Sequence, residues 1–530
     1  MTNRRLFLKQ LGLGAVSLSM ATDALAHYQP WRSGGLPRSR PGLQGVNPGG
    51  ILDFLTTVET QKLNVHSLMV VRHGNVVAEG WWAPYAPDLK HTLYSLSKSF
   101  TSTAVGMAVA EGKLSVDDKV VSFFPNDLPA TVSDNLAAMR VQDLLTMSTG
   151  HDKEPTGAMR ANGNTNWPKV FLAHPVDHQP GTHFVYNSGA TYMLSNIVQK
   201  LTGQTVLNYL TPRLFGPLGI EGADWEVDPA GVNTGGWGLR VRTEDIAKFG
   251  QLYLQKGAWK GKRLLPESWV ADATQSHIMQ PAGDKSRDSS DWLQGYGYQF
   301  WRCRHDAYRG DGAFGQYCIV MPDKDAVIAI TSETANMPAV LNAVWEHILP
   351  ALQSAGTSVA RSLPEPMTQK LKSLALPLPV NNTATPTMQK ISGKSFGIEP
   401  NSLNIDTASL TFGKDGCLFN FHDDQGDHRV LCGLNRWREG ETTVSVLPLK
   451  LVNTPVLNET TVRVAGTGTW SDANTFLMTW RFIETAHYET VTCRFTDDGV
   501  SIRFENSLSI IGHAKDPRPV LQGRLPGTAH

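Results

Sequence analysis

The sequence predicts an α+β fold, one antiparallel sheet covered by helices, followed by a small all-β C-terminal domain. Three patterns predict it. Runs 67–71 and 76–80 are β-favouring and flank the turn signal Arg72-His73-Gly74-Asn75, while runs 317–320 and 326–331 flank Met321-Pro322-Asp323-Lys324-Asp325, so a hairpin stands at each end of residues 51–354. The stretch between them reads mainly as helix. Beyond about residue 388 the pattern changes to alternation: Phe476, Met478, Trp480 and Phe482 face away from Leu477, Thr479 and Arg481, and Val491, Cys493 and Phe495 from Thr490, Thr492 and Arg494. A period of two marks half-buried strands.

In chain order, residues 1–26 combine a charged start containing Arg4 and Arg5, a mildly apolar run over 11–21 and the small-x-small end Ala24-Leu25-Ala26. This is an export signal, too short and too rich in Gly and Ser to span a bilayer. The paired arginines followed by Phe7-Leu8-Lys9 resemble the twin-arginine signal. Cleavage after Ala26 would leave a soluble periplasmic or secreted protein, and no later run is long and apolar enough for a stable membrane span. Residues 27–50, rich in Pro, Gly, Ser and Arg, read as an arm over the surface. After the first hairpin, residues 99–111 are small and apolar, as a helix buried inside a domain would be, and Gly112 stops it. Residues 114–150 alternate helical patches with turns, and 152–166 read as a loop. Helices are expected over 191–201, 246–255 and 338–349. Residues 355–387, dominated by Pro, Ser, Thr and Asn, read as a linker. In the β-rich domain, 388–530, further strands are expected at 409–412, 417–421, 429–432, 443–447 and 500–505, and no chemistry is recognisable there.

Composition narrows the function classes. With 530 residues, 41% hydrophobic and 18% charged, the chain is ordinary globular protein with room for two or more domains. Formal net charge is zero, and removing residues 1–26 leaves 45 basic against 47 acidic side chains, about −2. Nothing there suggests a nucleic acid or other polyanion partner. Cys303, Cys318, Cys417, Cys432 and Cys493 are odd in number and far apart, with no C-x-x-C pair and no histidine cluster at ligand spacing. A disulfide framework and a structural metal are not expected, although one isolated disulfide remains open. No cofactor motif is present; Gly310 to Gly315 is not a phosphate loop, because no strand–glycine–helix order follows.

The chemistry is concentrated at Tyr94-Ser95-Leu96-Ser97-Lys98. At the start of a helix a spacing of three places Ser95 and Lys98 on one face, about 5–6 Å apart at Cβ. Serine is a weak nucleophile near its free pKa, and a partly desolvated lysine can take its proton. The positive end of the helix would favour a developing oxyanion by about 0.5–2 kcal/mol. Further along come Tyr186-Asn187-Ser188 and the glycine-rich Gly310-Asp311-Gly312-Ala313-Phe314-Gly315.

These three pieces, in this order, resemble the serine beta-lactamase and penicillin-binding-protein superfamily, and within it the class C-like esterases and the 6-aminohexanoate-dimer hydrolase type. The resemblance covers roughly residues 50–352. It implies a beta-lactamase/transpeptidase-like fold with an all-helical subdomain beside the sheet. It further implies Ser95 as acylated nucleophile, Lys98 as its proton acceptor, and Tyr186 as the phenol exchanging protons with the leaving group or the deacylating water. Ser188 stands where class C enzymes usually have Asn. The oxyanion hole implied is the N–H of Ser95 with that of Ala313, beside Gly312 and Gly315, or with that of Asp311 if the motif is offset. One departure narrows the activity: the third motif normally begins with Lys or His, which grips a substrate carboxylate, and here no cation holds that place. Losing such a charge-assisted contact removes about 1.5–3 kcal/mol of binding, unless Arg309 or His305 substitutes. The expected substrate is therefore a small-molecule ester or amide. The alternatives are penicillin binding, D-amino-acid peptidase or beta-lactamase activity, and a non-catalytic peptidoglycan-binding role.

Other residues read more plainly. His151, His178 and His183 are loop or hydrogen-bonded histidines, since no G-x-S-x-G elbow surrounds any serine. Ser188 either orients Lys98 or caps the following helix. Trp237, Tyr296, Tyr298 and Trp301 either line an acyl pocket or fill the core.

Overall fold

The computed structural model describes residues 35–284, 286–352, 365–379, 385–414, 416–443 and 450–526, so the export signal lies outside the described residues. Helix α1 (Pro48–Thr60) precedes the first hairpin, β1 (Val65–Arg72) and β2 (Asn75–Trp81). Buried α2 (Ser97–Ala110) follows, then α3 (Val141–Leu145), α4 (Trp167–Ala173) and α5 (Ser188–Thr202). Residues 97–218 hold helices and turns and, among the described residues, no strand, which makes them a helical subdomain. The chain returns through α6 (Thr243–Leu254) to β3 (Trp301–Arg302), β4 (Tyr308–Gly312), β5 (Gln316–Met321) and β6 (Ala326–Ser332), then α7 (Met337–Ala343).

The two predicted hairpins share one antiparallel sheet of order β2-β1-β6-β5-β4-β3, with β1 and β6 joined through pairs such as Leu68 to Ile330 and Val70 to Ile328. All eight residues of β1 are buried because helices cover both faces. Met69 and Val71 point into a core shared with α2, α5 and α6. Leu68 and Val70 point to the opposite core, where Ile51, Phe54, Leu55 and Val58 form the inner stripe of α1.

The C-terminal strands are β7 (Ser395–Ile398), β8 (Thr407–Gly413), β9 (Gly416–Asp423), β10 (Gly426–Leu434), β11 (Arg438–Thr443), β12 (Thr461–Trp470), β13 (Thr475–Phe482), β14 (Tyr488–Phe495), β15 (Gly499–Asn506) and β16 (Leu521–Arg524). Their order is β10-β9-β8-β7-β16-β15-β14-β13-β12-β11, and a short parallel pairing of Cys432–Leu434 with Gly466–Gly468 closes the sheet into a barrel. Its interior holds Phe419, Trp470, Phe476, Met478, Trp480 and other inward-facing residues of the alternating pattern. All five cysteines are free and buried.

Several boundaries differ from expectation. The arm is partly integrated: Leu36 and Val46 are buried, Arg38 pairs with Glu79 and Glu244, and α1 already begins at Pro48. The linker is not free either. A helix spans Glu365–Lys372, and Met367, Leu371 and Leu374 pack on the outer face of the sheet, which their polar neighbours hid from a compositional reading. The strand expected at 443–447 runs instead from Arg438 to Thr443, and 444–449 lie outside the described residues. Strand β4 was expected only as a glycine-rich approach; Gly310, Asp311 and Gly312 lie within it and only Ala313 to Gly315 form the turn to β5.

Candidate active site

Ser95 sits on a single 3₁₀ turn, Tyr94–Leu96, that runs directly into α2. Its predecessor Tyr94 has φ +46°, in the left-handed region, so the chain turns sharply there before the helix starts. Lys98 is in the first turn of α2, buried to 1% exposure. Its Nζ donates to Ser95 Oγ at 3.0 Å, Ser188 Oγ at 3.0 Å and the Gly236 carbonyl at 2.7 Å, so all three ammonium directions are occupied.

Burial lowers the Lys98 ammonium from the usual lysine value to about 7, against the opposing pull of the Glu154 and Asp311 carboxylates. Near neutrality a large share of the amine is therefore free to accept the Ser95 proton. Tyr186 lies beside it, with Lys98 Nζ 4.9 Å from the ring centroid. Burial pushes the phenol well above its usual range, only partly offset by its hydrogen bond with Ser95. Of the two groups flanking Ser95, Lys98 is the one brought close to neutrality, and Tyr186 stays protonated and able to donate.

The strand after this turn explains the glycines. A Cβ on Gly312 would meet the Leu93 carbonyl oxygen at 2.1 Å, so β4 passes against the backbone leading to Ser95. Ala313 follows β4 directly, and Gln316 Nε2 donates to its carbonyl at 3.0 Å and to that of Ser332 at 2.7 Å. Gly315, at φ +89°, completes the turn. Ser95, Lys98, Tyr186 and Ser188 thus form one contact group; Gly312 lies against the Leu93 backbone that leads to it, Ala313 follows at the start of the turn, and Gly315 faces Ser332 and Thr334. Ser188 orients Lys98; the cap of α5 is instead the Asn187 side chain, which accepts from Ala190 N–H at 3.0 Å.

The aromatic set divides. Tyr296 and Trp301 cluster with Met147, Phe184 and Tyr186, Trp301 lying 5.4 Å from the Tyr186 ring, whereas Trp237 and Tyr298 belong to the main core. Neither candidate for the missing cation fills that role. Arg309 is fully buried and committed to Asp311, the Asp291 carbonyl and Cys303, and His305 is exposed beside Trp345. His151 is buried with its Nδ1 2.9 Å from Thr149 Oγ1. His178 and His183 stand on the outer rim with Asp152; among the described residues these three are the group that brings three metal-type donors within 4.8 Å of one another, although two of them were separated from Asp152 in sequence.

Sequence reasoning missed three contributors. The Gly236 carbonyl lies in the glycine-rich stretch 235–238, and a backbone acceptor has no residue signature. Glu154, whose Oε2 accepts from Ser188 N–H at 2.9 Å, lay in an unassigned loop. His487 comes from the C-terminal barrel, expected to carry no chemistry, and reaches the Tyr94 hydroxyl. A residue nearly 400 positions away leaves no local pattern.

The family profile described as Beta-lactamase matches residues 55–353, more than half of the chain and every residue named in this site except His487. The chain belongs to the beta-lactamase family. Among relatives of that family, a 6-aminohexanoate-dimer hydrolase of Paenarthrobacter ureafaciens is 26% identical over 278 residues, 49% of this chain and 71% of that protein. A D-aminopeptidase of Brucella anthropi is 27% identical over 174 residues, 30% of this chain and 32% of its own length. An octameric penicillin-binding-protein homologue from Pyrococcus abyssi aligns in structure over 88% of this chain and 98% of its own, with a TM-score of 0.45 and 15% identity. The protein is a serine hydrolase of the beta-lactamase family.

Proposed function

We propose that this is an exported serine hydrolase that cleaves carboxylic esters or small amides through an acyl-enzyme on Ser95. The observation that carries the reading is Lys98: a buried amine brought down to about 7 and 3.0 Å from the Ser95 hydroxyl. Lys98 takes the Ser95 proton as Oγ bonds to the substrate carbonyl carbon. The oxyanion is held by the N–H of Ser95 and of Ala313, a pair of donors of which each contributes about 3–4 kcal/mol to lowering such barriers. Tyr186 gives its proton to the departing alcohol or amine and is reprotonated by Lys98. Water then attacks the acyl-enzyme, losing its proton to the same pair, and Ser95 leaves protonated.

Esters and small amides are favoured over substrates that need a gripped carboxylate, because Arg309 is neutralised by Asp311 at 2.7 Å and no cation occupies the first place of the third motif. The names of two relatives, a 6-aminohexanoate-dimer hydrolase and a D-aminopeptidase, support hydrolysis of a small molecule of this kind. Export rests on the signal in residues 1–26. The test is turnover of p-nitrophenyl butyrate with a pre-steady-state burst equal to the enzyme concentration, together with labelling of Ser95 by a fluorophosphonate. Ser95→Ala is expected to abolish both. An intact, folded protein with neither burst nor adduct would overturn the reading, and a nitrocefin rate exceeding the ester rate would move the substrate to β-lactams.

A further inference from the structure

The turn before β14 is where the barrel meets the nucleophile. Residues 485–487, between β13 and β14, are buried against the catalytic domain: Tyr85 Oη donates to the Thr485 carbonyl at 3.2 Å, and Ile483 and Ala465 join the core beneath β1. At the end of this turn His487 Nε2 bonds the Tyr94 hydroxyl. His487 Nδ1 lies 2.8 Å from Glu333 Oε1, just past the end of β6. A carboxylate only accepts, so Nδ1 carries the hydrogen toward Glu333, and in the neutral ring Nε2 is left to accept from Tyr94.

Glu333 is itself fixed, its N–H donating to the Asn64 carbonyl at 3.0 Å and its own carbonyl accepting from Asn64 Nδ2 at 2.9 Å. Phe314, in the turn that leads to β5, completes the enclosure, edge-on to Tyr94 at 5.6 Å and to His487 at 5.3 Å. Tyr94 thus meets the barrel turn through His487, the turn that carries Phe314, and the Leu451 backbone, which hydrogen-bonds its hydroxyl. This matters because Tyr94 is in the left-handed backbone region, which bulky side chains adopt only when their surroundings over-determine it. Ser95 is the next residue.

We propose that His487, backed by Glu333, is a positioning residue for Ser95: by holding the Tyr94 hydroxyl it fixes the turn that aims Ser95 Oγ at Lys98. The C-terminal barrel is then part of the catalytic apparatus. The inference rests on Ser95 being the nucleophile. The acid–histidine–hydroxyl order resembles a second triad, but Tyr94 is 5% exposed and its phenol is pushed far above the usual range by burial, so no substrate reaches it and no phenolate forms. The chain Glu333–His487–Tyr94 acts on geometry.

The experiment compares Tyr94→Phe, His487→Ala, the double variant and His487→Gln in the full-length protein, reading fluorophosphonate labelling of Ser95, kcat and KM for p-nitrophenyl butyrate, and thermal midpoint. Misplacing a reacting atom by about an ångström costs on the order of 100-fold. Tyr94→Phe and His487→Ala are each expected to lower labelling and kcat by roughly 10–100-fold with KM within about twofold. The double variant should be no slower than Tyr94→Phe, which already removes the His487 contact together with the hydrogen bond from the Leu451 backbone. His487→Gln, whose amide oxygen can accept from Tyr94, should recover most of the rate. If His487→Ala does not fold, Tyr94→Phe decides alone, for it removes a single oxygen. Wild-type labelling rate in folded Tyr94→Phe, or losses that multiply in the double variant, overturns this inference while leaving the nucleophile assignment intact. A wild-type protein that is not labelled at Ser95 overturns both.

Discussion

Lys98 concentrates the chemistry at the scale of the residue. Its environment is apolar enough to remove much of the cost of having a neutral amine, yet its three acceptors, Ser95, Ser188 and Gly236, fix where the lone pair points once the proton is lost. With Lys98 as the proposed base, activity requires the neutral amine, so kcat/KM should rise with pH and level off above about 7, following one ionisation. Glu154 stabilises the charged form, and Glu154→Gln should therefore shift that midpoint to lower pH. A pH–rate profile of both proteins checks the sign, and a midpoint unmoved or moved upward in the variant would contradict it. Lys98→Met should lose about 10²–10⁴-fold in kcat. Ser95 and Lys98 were legible in the sequence because a helix places residues three apart on one face, and Tyr186 and Ser188 because they recur in one short motif. Gly236, Glu154 and His487 were not, since their contributions depend on tertiary approach alone.

At the scale of the element, the determining contact is between β4 and the segment 93–99. Gly310 and Gly312 both face it, but they meet different obstacles. A Cβ at 310 would meet the Leu96 Cδ1 methyl at 2.2 Å, the end of a side chain that can rotate; at 312 it would meet a backbone oxygen at 2.1 Å, which moves only with the turn that carries Ser95. Gly312→Ala should therefore destabilise by about 1–3 kcal/mol and cut kcat more than Gly310→Ala does, as thermal melts and ester kinetics of the pair would record. The reverse ranking would mean that β4 does not set the turn. The hairpins and the long helices were legible because each has its own periodicity. Strand β4 was obscured by its glycines, and the helix at Glu365–Lys372 by a proline- and serine-rich composition whose few apolar residues find partners only in the folded sheet.

Across the whole molecule the two domains share more than the Tyr94 contact. Arg240 joins Asp224 of its own domain and Glu459 of the barrel, both at 2.6 Å, with its guanidinium only 5% exposed. Thr454 accepts from the Trp237 indole at 2.8 Å and bonds Glu226, and Lys450 pairs with Glu226 at 3.1 Å. Trp237 follows Gly236, whose carbonyl holds Lys98, so the barrel braces the loops on both sides of the dyad. Arg240→Ala leaves Glu459, half-buried with 16% of its side chain exposed, without its partner, while Asp224 keeps Lys90. A loss of about 1–3 kcal/mol is expected, below the range for breaking a fully buried ion pair because Glu459 keeps some contact with water, read as a lower thermal midpoint accompanied by loss of ester hydrolysis. Full activity in a variant of reduced stability would show that the docking of the barrel does not reach the site. The alternation of the C-terminal strands made their existence legible; where the barrel docks was not, because the residues that dock it are scattered polar side chains with no common period.

The distance along the chain between Tyr94 and His487 has a temporal meaning as well. Synthesis proceeds from the N-terminus, and 393 positions separate the two partners. At about 5–20 residues per second the ribosome releases the nucleophile segment some 20–80 s before the histidine that sets it. Throughout that interval Ser95 and Lys98 exist without the His487 contact to which the proposal assigns their alignment. A hydrolase ordered as proposed here acquires its working geometry only once the C-terminal barrel has been made and docked, as one of the last events of its own manufacture.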